Sequence, residues 1–244
     1  MNTNESVQKN EGKRFFGIIS AMESEITLMK NAMDLETTET VSGMTFYRGM
    51  LGGHEAVLVQ CGRGKVNAGV CTQTLILRFG VNSVISTGVA GSLNSEINIG
   101  SIIISTDAVQ HDMDATALGY KPGMIPGNEL SVFPADAGLR RSAAASAAAV
   151  IPQKRVCEGR ICSGDQFVAD GAKKQRMAKS FGAVCCEMEG AAVAQVCAMN
   201  QTPFVLIRAI SDKADDVGHL SYQGLFEAVA RHNAAIVRHM VENG

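Results

Sequence analysis

Ala183-Val184-Cys185-Cys186-Glu187-Met188-Glu189-Gly190-Ala191-Ala192 and, shortly downstream, Val205-Leu206-Ile207-Arg208-Ala209-Ile210-Ser211-Asp212 decide the fold. In each, an apolar run of strand length stops abruptly at acidic residues. Open α/β sheets build their sites in this way, in the crevice outside the C-terminal ends of buried strands. Between the two runs, Ala191 to Met199 is apolar almost all round, the mark of a well-buried connecting helix. Two such strands with one helix between them bring two or three carboxylates towards one place. Paired acids suit general acid/base work or the holding of sugar hydroxyls.

Working outward, strands and helices alternate. Phe15 to Ile19 is a short apolar run ending at Ser20, followed by a helical segment from Ala21 to about Met33. Ser20 with Glu23 three residues on is a capping-box signature, and Glu25 then falls in the first turns, close to the end of the first strand. Thr40 to Gly49 and Glu55 to Gln60 flank Gly52-Gly53, a hairpin signal. A helix follows Gly62-Arg63-Gly64-Lys65 as far as Phe79, then a strand at Ser83 to Ser86 ending in Thr87-Gly88-Val89-Ala90-Gly91-Ser92. Ile102 to Ser105 is a strand entering the long polar stretch His111 to Gly127, and loops of that length are usually functional. Ala135 to Val150 is helical by propensity, Arg155 to Cys162 is a strand, and Ala172 to Phe181 is a helix. The last segment places Leu225, Phe226, Val229, Ile236, Val237 and Met240 on one helical stripe. The pattern predicts a single α/β domain over 15–244, a three-layer α/β/α sandwich around a mixed sheet, behind a disordered tail at 1–14.

Composition removes several function classes. With 22 basic and 24 acidic residues, a net charge of −2, 5% aromatics and no Trp, the chain has neither the basic face nor the stacking platforms of a nucleic-acid binder. No apolar stretch approaches the ~18 residues that span a membrane, and the polar start has no signal-peptide core. The seven cysteines sit in apolar segments without zinc-ligand spacing, which predicts reduced core thiols in a cytosolic protein.

Each candidate has a structural alternative. Glu187 and Glu189 could simply oppose a helix macrodipole, though that hardly explains an acid-Met-acid sequence closing an apolar run. Asp212 could be a turn or helix cap. Arg208 inside an apolar strand requires a carboxylate partner, since an unpaired buried charge is very costly, and Glu187 is the candidate. Gly62-x-Gly64-Lys65 resembles the tail of a phosphate loop, but Val66 stands where Ser or Thr should hold magnesium. Thr87-Gly88-Val89-Ala90-Gly91 lacks dinucleotide spacing; its glycines would let backbone approach a flat ligand. His111-Asp112-Met113-Asp114 has no further histidine at helical spacing, so no catalytic metal is expected, and no G-x-S-x-G elbow marks a serine hydrolase.

Taken in order, Gly17 to Glu25, Gly64 to Ala68, Thr87 to Gly91, His111-Asp112-x-Asp114-x-Thr116, Ser163-Gly164-Asp165-x-Phe167, Glu187-Met188-Glu189 and Arg208 to Asp212 cover nearly the whole chain after the tail. So ordered, the chain resembles the 5′-methylthioadenosine/S-adenosylhomocysteine nucleosidases of the purine nucleoside phosphorylase-like family. The resemblance implies hydrolysis of the N-glycosidic bond of 5′-thio-substituted adenosines, with no cofactor. It implies Asp212 as general acid at adenine N7 and Glu25 as the group that orients and activates water. It also implies Glu189 on the ribose hydroxyls, Phe167 stacked on adenine, Val168 reading its edge through its backbone, and Met188 under the sugar. Arg208 and Ser211 look like supports for Glu187 and Asp212, and Met22, Val89 and Ala90 like further parts of the substrate pocket. The family is typically a homodimer whose partner closes the 5′ end of the pocket; Arg63, Ala115, Leu118, Tyr120 and Pro126 map onto that shared wall and Tyr222 onto the lid. Arg63, Val89 and Tyr222 depart from the commonest pattern, which leaves open a substrate such as aminofutalosine, drawn by Arg63 through its carboxylate. A phosphate-dependent phosphorylase and a non-catalytic nucleoside-binding protein are the rivals.

Overall fold

Phe16–Ser20 forms strand β1, and all five of its residues are buried, as a strand covered on both faces must be. A computed structural model describes residues 14–21, 23–153, 155–213 and 222–244, the first five of the last segment by backbone alone. The expected tail therefore lies almost wholly outside the described residues. β1 is paired in parallel on one side with β4 (His54–Gln60) and on the other with β5 (Ser83–Ser92). β5 in turn runs parallel to β10 (Phe204–Asp212), whose nine residues are all buried.

Beyond β10 the sheet curls back on itself. β10 pairs antiparallel with β6 (Ile102–Gln110), β6 parallel with β8 (Val156–Ser163), and β8 parallel with β9 (Ala183–Glu187). β9 then returns to β5 through Gly91↔Cys186 and Ser92↔Cys185, closing a ring of strands. The expected mixed sheet is present, with one end rolled shut. The short strand β7 (Val132–Pro134) edges β6, while β3 (Met44–Leu51) and β2 (Met33–Val41) extend the other end beyond β4.

Helices cover two faces. Ile26 and Met29 of α1 (Glu23–Asn31), Leu139, Ala143 and Ala147 of α3 (Ala137–Val150) and Val229, Ile236, Val237 and Met240 of α6 (Tyr222–Glu242) pack in one buried cluster. Ala68, Cys71 and Leu75 of α2 (Lys65–Phe79) share the other cluster with Ala191, Val193 and Cys197 of α5 (Gly190–Met199). A third, smaller cluster seats α4 (Gly171–Phe181) by Met177 against Cys162 and Cys186. The seven cysteines are unpaired, and six are buried.

Several boundaries differ from expectation, among them the strand expected at Ile102 to Ser105, which runs on to Gln110. The first helix stops at Asn31, and Met33 opens β2 instead of extending the helix. The segment expected as one strand from Thr40 to Gly49 is broken at Ser42 and Gly43, whose φ values of 52° and 76° make a two-residue hairpin turn. The strand expected at Ser83 to Ser86 runs on through the glycine-rich segment to Ser92, because Gly88 and Gly91 keep extended backbone and pair with β10.

At Gly49 the β2–β3 pairing shifts register between Leu35 and Thr37, and an added Cβ would lie 2.1 Å from the Asp34 carbonyl oxygen. Backbone cannot move aside as a side-chain tip can. Gly49→Ala should therefore cost about 2–3 kcal/mol in urea unfolding, seen as a lower midpoint with an unchanged slope. A wild-type midpoint would contradict this packing.

Candidate active site

β9 ends at Glu187 and β10 carries Arg208, and the two side chains meet where these strands and β5 converge. Arg208 Nη2 and Nε approach Glu187 Oε2 at 2.9 and 3.3 Å, with both side chains almost fully buried. Nη1 donates to the carbonyls of Ser86 and Ile207, and Nη2 also to Ser86 Oγ, so all five guanidinium N–H groups are used. Glu187 accepts besides from the backbone N–H of Glu189 and Gly190 and from Ser163 Oγ, which itself accepts from Ala191 N–H. The start of α5 is thus capped by the same carboxylate that neutralises Arg208.

Glu189, turned away from that cap, accepts from Gly64 N–H at 2.8 Å. Burial, and then the charge of Glu187, push its carboxyl up to about 7, against the pull of Gly64 N–H and Arg208. The Gly64 loop is pinned to the β8–α4 connection, where Lys65 N–H donates to Asp165 Oδ1 at 2.7 Å. Lys65 Nζ reaches Asp112 Oδ1 at 2.6 Å, and Asp112 Oδ2 accepts from Asp165 N–H. Asp112 is thereby committed to a loop lock, and among the described residues no group of three or more His, Cys, Asp or Glu could hold a metal.

Glu25 is fully buried at the start of α1, beside the end of β1. Ser20 Oγ donates to one of its oxygens and Asn233 Nδ2 to the other at 2.6 Å. Asn233 Nδ2 also donates to the Gly88 carbonyl at 2.9 Å, and Gly88 lies opposite Arg208 in the β5–β10 ladder. A continuous chain of contacts therefore joins Glu25 to the Arg208–Glu187 pair. Burial raises the Glu25 carboxyl above its ordinary range; the Ser20 and Asn233 hydrogen bonds and the Arg208 charge oppose that rise.

Asp212 closes β10 opposite Gly91, and an added Cβ there would sit 2.8 Å from its Oδ2. Ser211 Oγ donates to Oδ1 at 2.9 Å and Lys174 Nζ to Oδ2 at 2.5 Å. Val89 and Ala90 precede Gly91 on β5, half-buried and buried. Met188 sits between the two glutamates, half-buried, Val168 is buried, and Phe167 is 77% exposed on the loop after β8. Met22 and the Tyr222 side chain lie outside the described residues. Leu118, Tyr120, Pro126 and Arg63 stand on the surface and Ala115 is half-buried, so a single chain does not bring this set into the carboxylate cluster.

Lys174, Asn233 and Ser163 escaped assignment from sequence, though two left a trace. Lys174 falls on the α4 stripe with Met177, Ala178 and Phe181, and Asn233 falls on the α6 stripe with Val229, Ile236 and Val237. A polar residue on an apolar stripe is the signal.

The profile of the phosphorylase superfamily matches residues 15–242. A 5′-methylthioadenosine/S-adenosylhomocysteine nucleosidase of Psychromonas ingrahamii is 39% identical over 93% of this chain and 98% of its own. The crystal structure of the Campylobacter jejuni enzyme of that name superposes with a TM-score of 0.89 at 34% identity, covering 95% of this chain and 100% of its own. Futalosine hydrolase of Helicobacter pylori superposes at 0.87 with 32% identity, over 95% and 98%.

The raised carboxyl of Glu189 has a thermodynamic consequence. The unfolded chain gives up this proton near 4.5 and the folded chain near 7, so stability falls as pH rises between them and the cost is complete above about 7. Glu189→Gln should therefore raise the melting temperature by a few degrees at pH 8 and leave it nearly unchanged at pH 4. Equal shifts at both pH values would contradict the assignment.

Proposed function

The chain belongs to the phosphorylase superfamily and, within it, to the 5′-methylthioadenosine/S-adenosylhomocysteine nucleosidases, and from that premise we propose how its own residues act. It hydrolyses the N-glycosidic bond of 5′-thio-substituted adenosines, releasing adenine. Cleavage passes through an oxocarbenium-like sugar, so adenine must be helped to leave while water arrives on the opposite face of the ring, the division of labour of an inverting glycosidase.

Asp212 is the general acid for N7, oriented by Ser211. Glu25 orients and deprotonates the water; its burial raises its basicity as a carboxylate. Glu189, as carboxylate, accepts from the ribose hydroxyls and faces the growing positive charge of the sugar. Phe167 offers an exposed ring to adenine, with backbone groups of Val168 at its edge; Met188 lies beneath the sugar, and Met22, Val89 and Ala90 complete the wall. Arg208 holds Glu187, and Glu187 sets the turn that presents Glu189.

The observation that carries hydrolysis over phosphorolysis is the company Glu25 keeps. Its hydrogen bonds come from neutral Ser20 and Asn233, and Arg208, the cation whose charge reaches it, has every N–H already used. Such a corner suits a water molecule. A phosphate dianion would need free cations there.

A second chain completes the pocket at its 5′ end. Val66, Val70 and Leu77 are exposed along α2, and Leu118, Tyr120, Met124 and Leu130 between β6 and β7, apolar side chains that a second copy would cover. The partner of this chain is a second copy, with Arg63, Ala115, Leu118, Tyr120 and Pro126 at the shared wall and Tyr222 at the lid. The substrate is a small nucleoside, not nucleic acid, given the net charge of −2; among the described residues no helix is long and apolar enough to cross a membrane. Cytoplasmic salvage of methylthioadenosine towards methionine is the setting that fits this chemistry. The likeness to futalosine hydrolase, with Arg63 exposed at the Gly62–Gly64 loop, favours one alternative substrate, an adenosine bearing a 5′ carboxylate such as 6-amino-6-deoxyfutalosine.

Adenine release should proceed from methylthioadenosine without phosphate, and Asp212→Asn and Glu25→Gln should each lower kcat at least a hundredfold. Strict dependence on phosphate would overturn the reading, and preference for a carboxylate-bearing nucleoside that Arg63→Ala removes would redirect it. Sedimentation should give twice the chain mass, and Val70→Lys with Leu77→Lys should yield monomers of reduced activity. A fully active wild-type monomer would contradict the shared wall.

A further inference from the structure

α4 carries an unusual residue. Lys174 is 1% exposed, whereas lysine is almost never fully buried without a partner. Its Nζ donates to Asp212 Oδ2 at 2.5 Å and to the Lys213 carbonyl at 2.7 Å. Ser211 Oγ occupies the other Asp212 oxygen. Desolvating an ammonium costs several kcal/mol, and a lysine used only to fill this space would serve less well than methionine.

We infer that Lys174 is a positioning residue for Asp212, whose ammonium stabilises the carboxylate that Asp212 becomes when it gives its proton to the leaving adenine. The inference rests on Asp212 being the general acid. In the balanced step, the N9–C1′ bond breaks with its electron pair going to adenine, the Asp212 O–H breaks as N7–H forms, and water bonds C1′ while its proton passes to Glu25. Asp212 is left anionic beside Nζ, which is where a cation lowers the barrier, because the interaction strengthens as charge develops. A solvent proton restores the acid once adenine departs.

Among the described residues, other groups around the pair do not supply this charge. Cys186 faces it from β9, and burial, ahead of the opposing charges of Lys174 and Asp212, pushes that thiol up to about 12, so it stays neutral. Glu187 lies further along β9, with Arg208 of β10 bound to it. From β5 the neighbour is Gly91. Lys173, next on α4, is bonded to Gln166, and Lys213 meets Nζ through its carbonyl.

The test is the split between kcat and KM for adenine release in variants at position 174. Lys174→Met should lower kcat about 10- to 100-fold with KM little changed, because the charge is needed as the acid gives up its proton and not when the substrate binds. Lys174→Arg, which keeps a cation beside Asp212, should recover most of that loss. A Lys174→Met enzyme with wild-type kcat, or a Lys174→Arg enzyme no faster than Lys174→Met, would overturn the inference, because a filler role depends on shape and not on charge. Lys174→Gln provides the same comparison if the methionine variant does not fold. Inactive wild-type protein would instead count against the nucleosidase function itself, so the two failures are distinct.

Discussion

The Arg208–Glu187 ion pair is the constraint on which the site depends. Three strands, β5, β9 and β10, and the start of α5 are all fixed to this one buried contact. Removing either partner would strand a charge in the core at a cost of about 3–5 kcal/mol. Gly190 shows how tightly the corner is packed: an added Cβ would lie 2.7 Å from Leu206 and close to both charged partners. With Glu187 spent on Arg208 and on the helix start, Glu189 is left to accept from the Gly64 loop. The pair is structural, and in the proposed mechanism it leaves the neighbouring carboxylates free to act.

Three further carboxylates are then held in three different electrostatic settings. Glu25 is buried among neutral donors, Glu189 is half-buried beside another acid and a single backbone N–H, and Asp212 is matched with an ammonium. Pushing the affinities of neighbouring acids apart is how one site can hold a base and an acid at the same pH. The strand order produces this arrangement, since the residues come from the ends of β1, β9 and β10, all gathered around β5.

Much of this was legible in the sequence because it broke a pattern. Arg208 stands out in an apolar strand, and two acids end another, so the pair could be read directly. The mixed sheet, the helical layers and most element boundaries followed from alternating apolar runs. The Ser42-Gly43 turn was missed because Thr40 to Gly49 keeps strand-like composition throughout, and only the positive φ values reveal the break. Lys174 was missed for a different reason. It sits in the run Ala172-Lys173-Lys174-Gln175-Arg176, which looks solvated until the helix is docked and one lysine turns inward. The closure of the strand ring depends on two residue pairs, Gly91↔Cys186 and Ser92↔Cys185, far apart in sequence, which no local pattern encodes.

The central claim is that water, placed by Glu25, takes the sugar from adenine. The most direct measurement is a turnover of methylthioadenosine in phosphate buffer made with ¹⁸O-water, followed by mass spectrometry of the sugar. The account predicts free methylthioribose carrying one ¹⁸O at C1. Unlabelled sugar 1-phosphate as the product would contradict it.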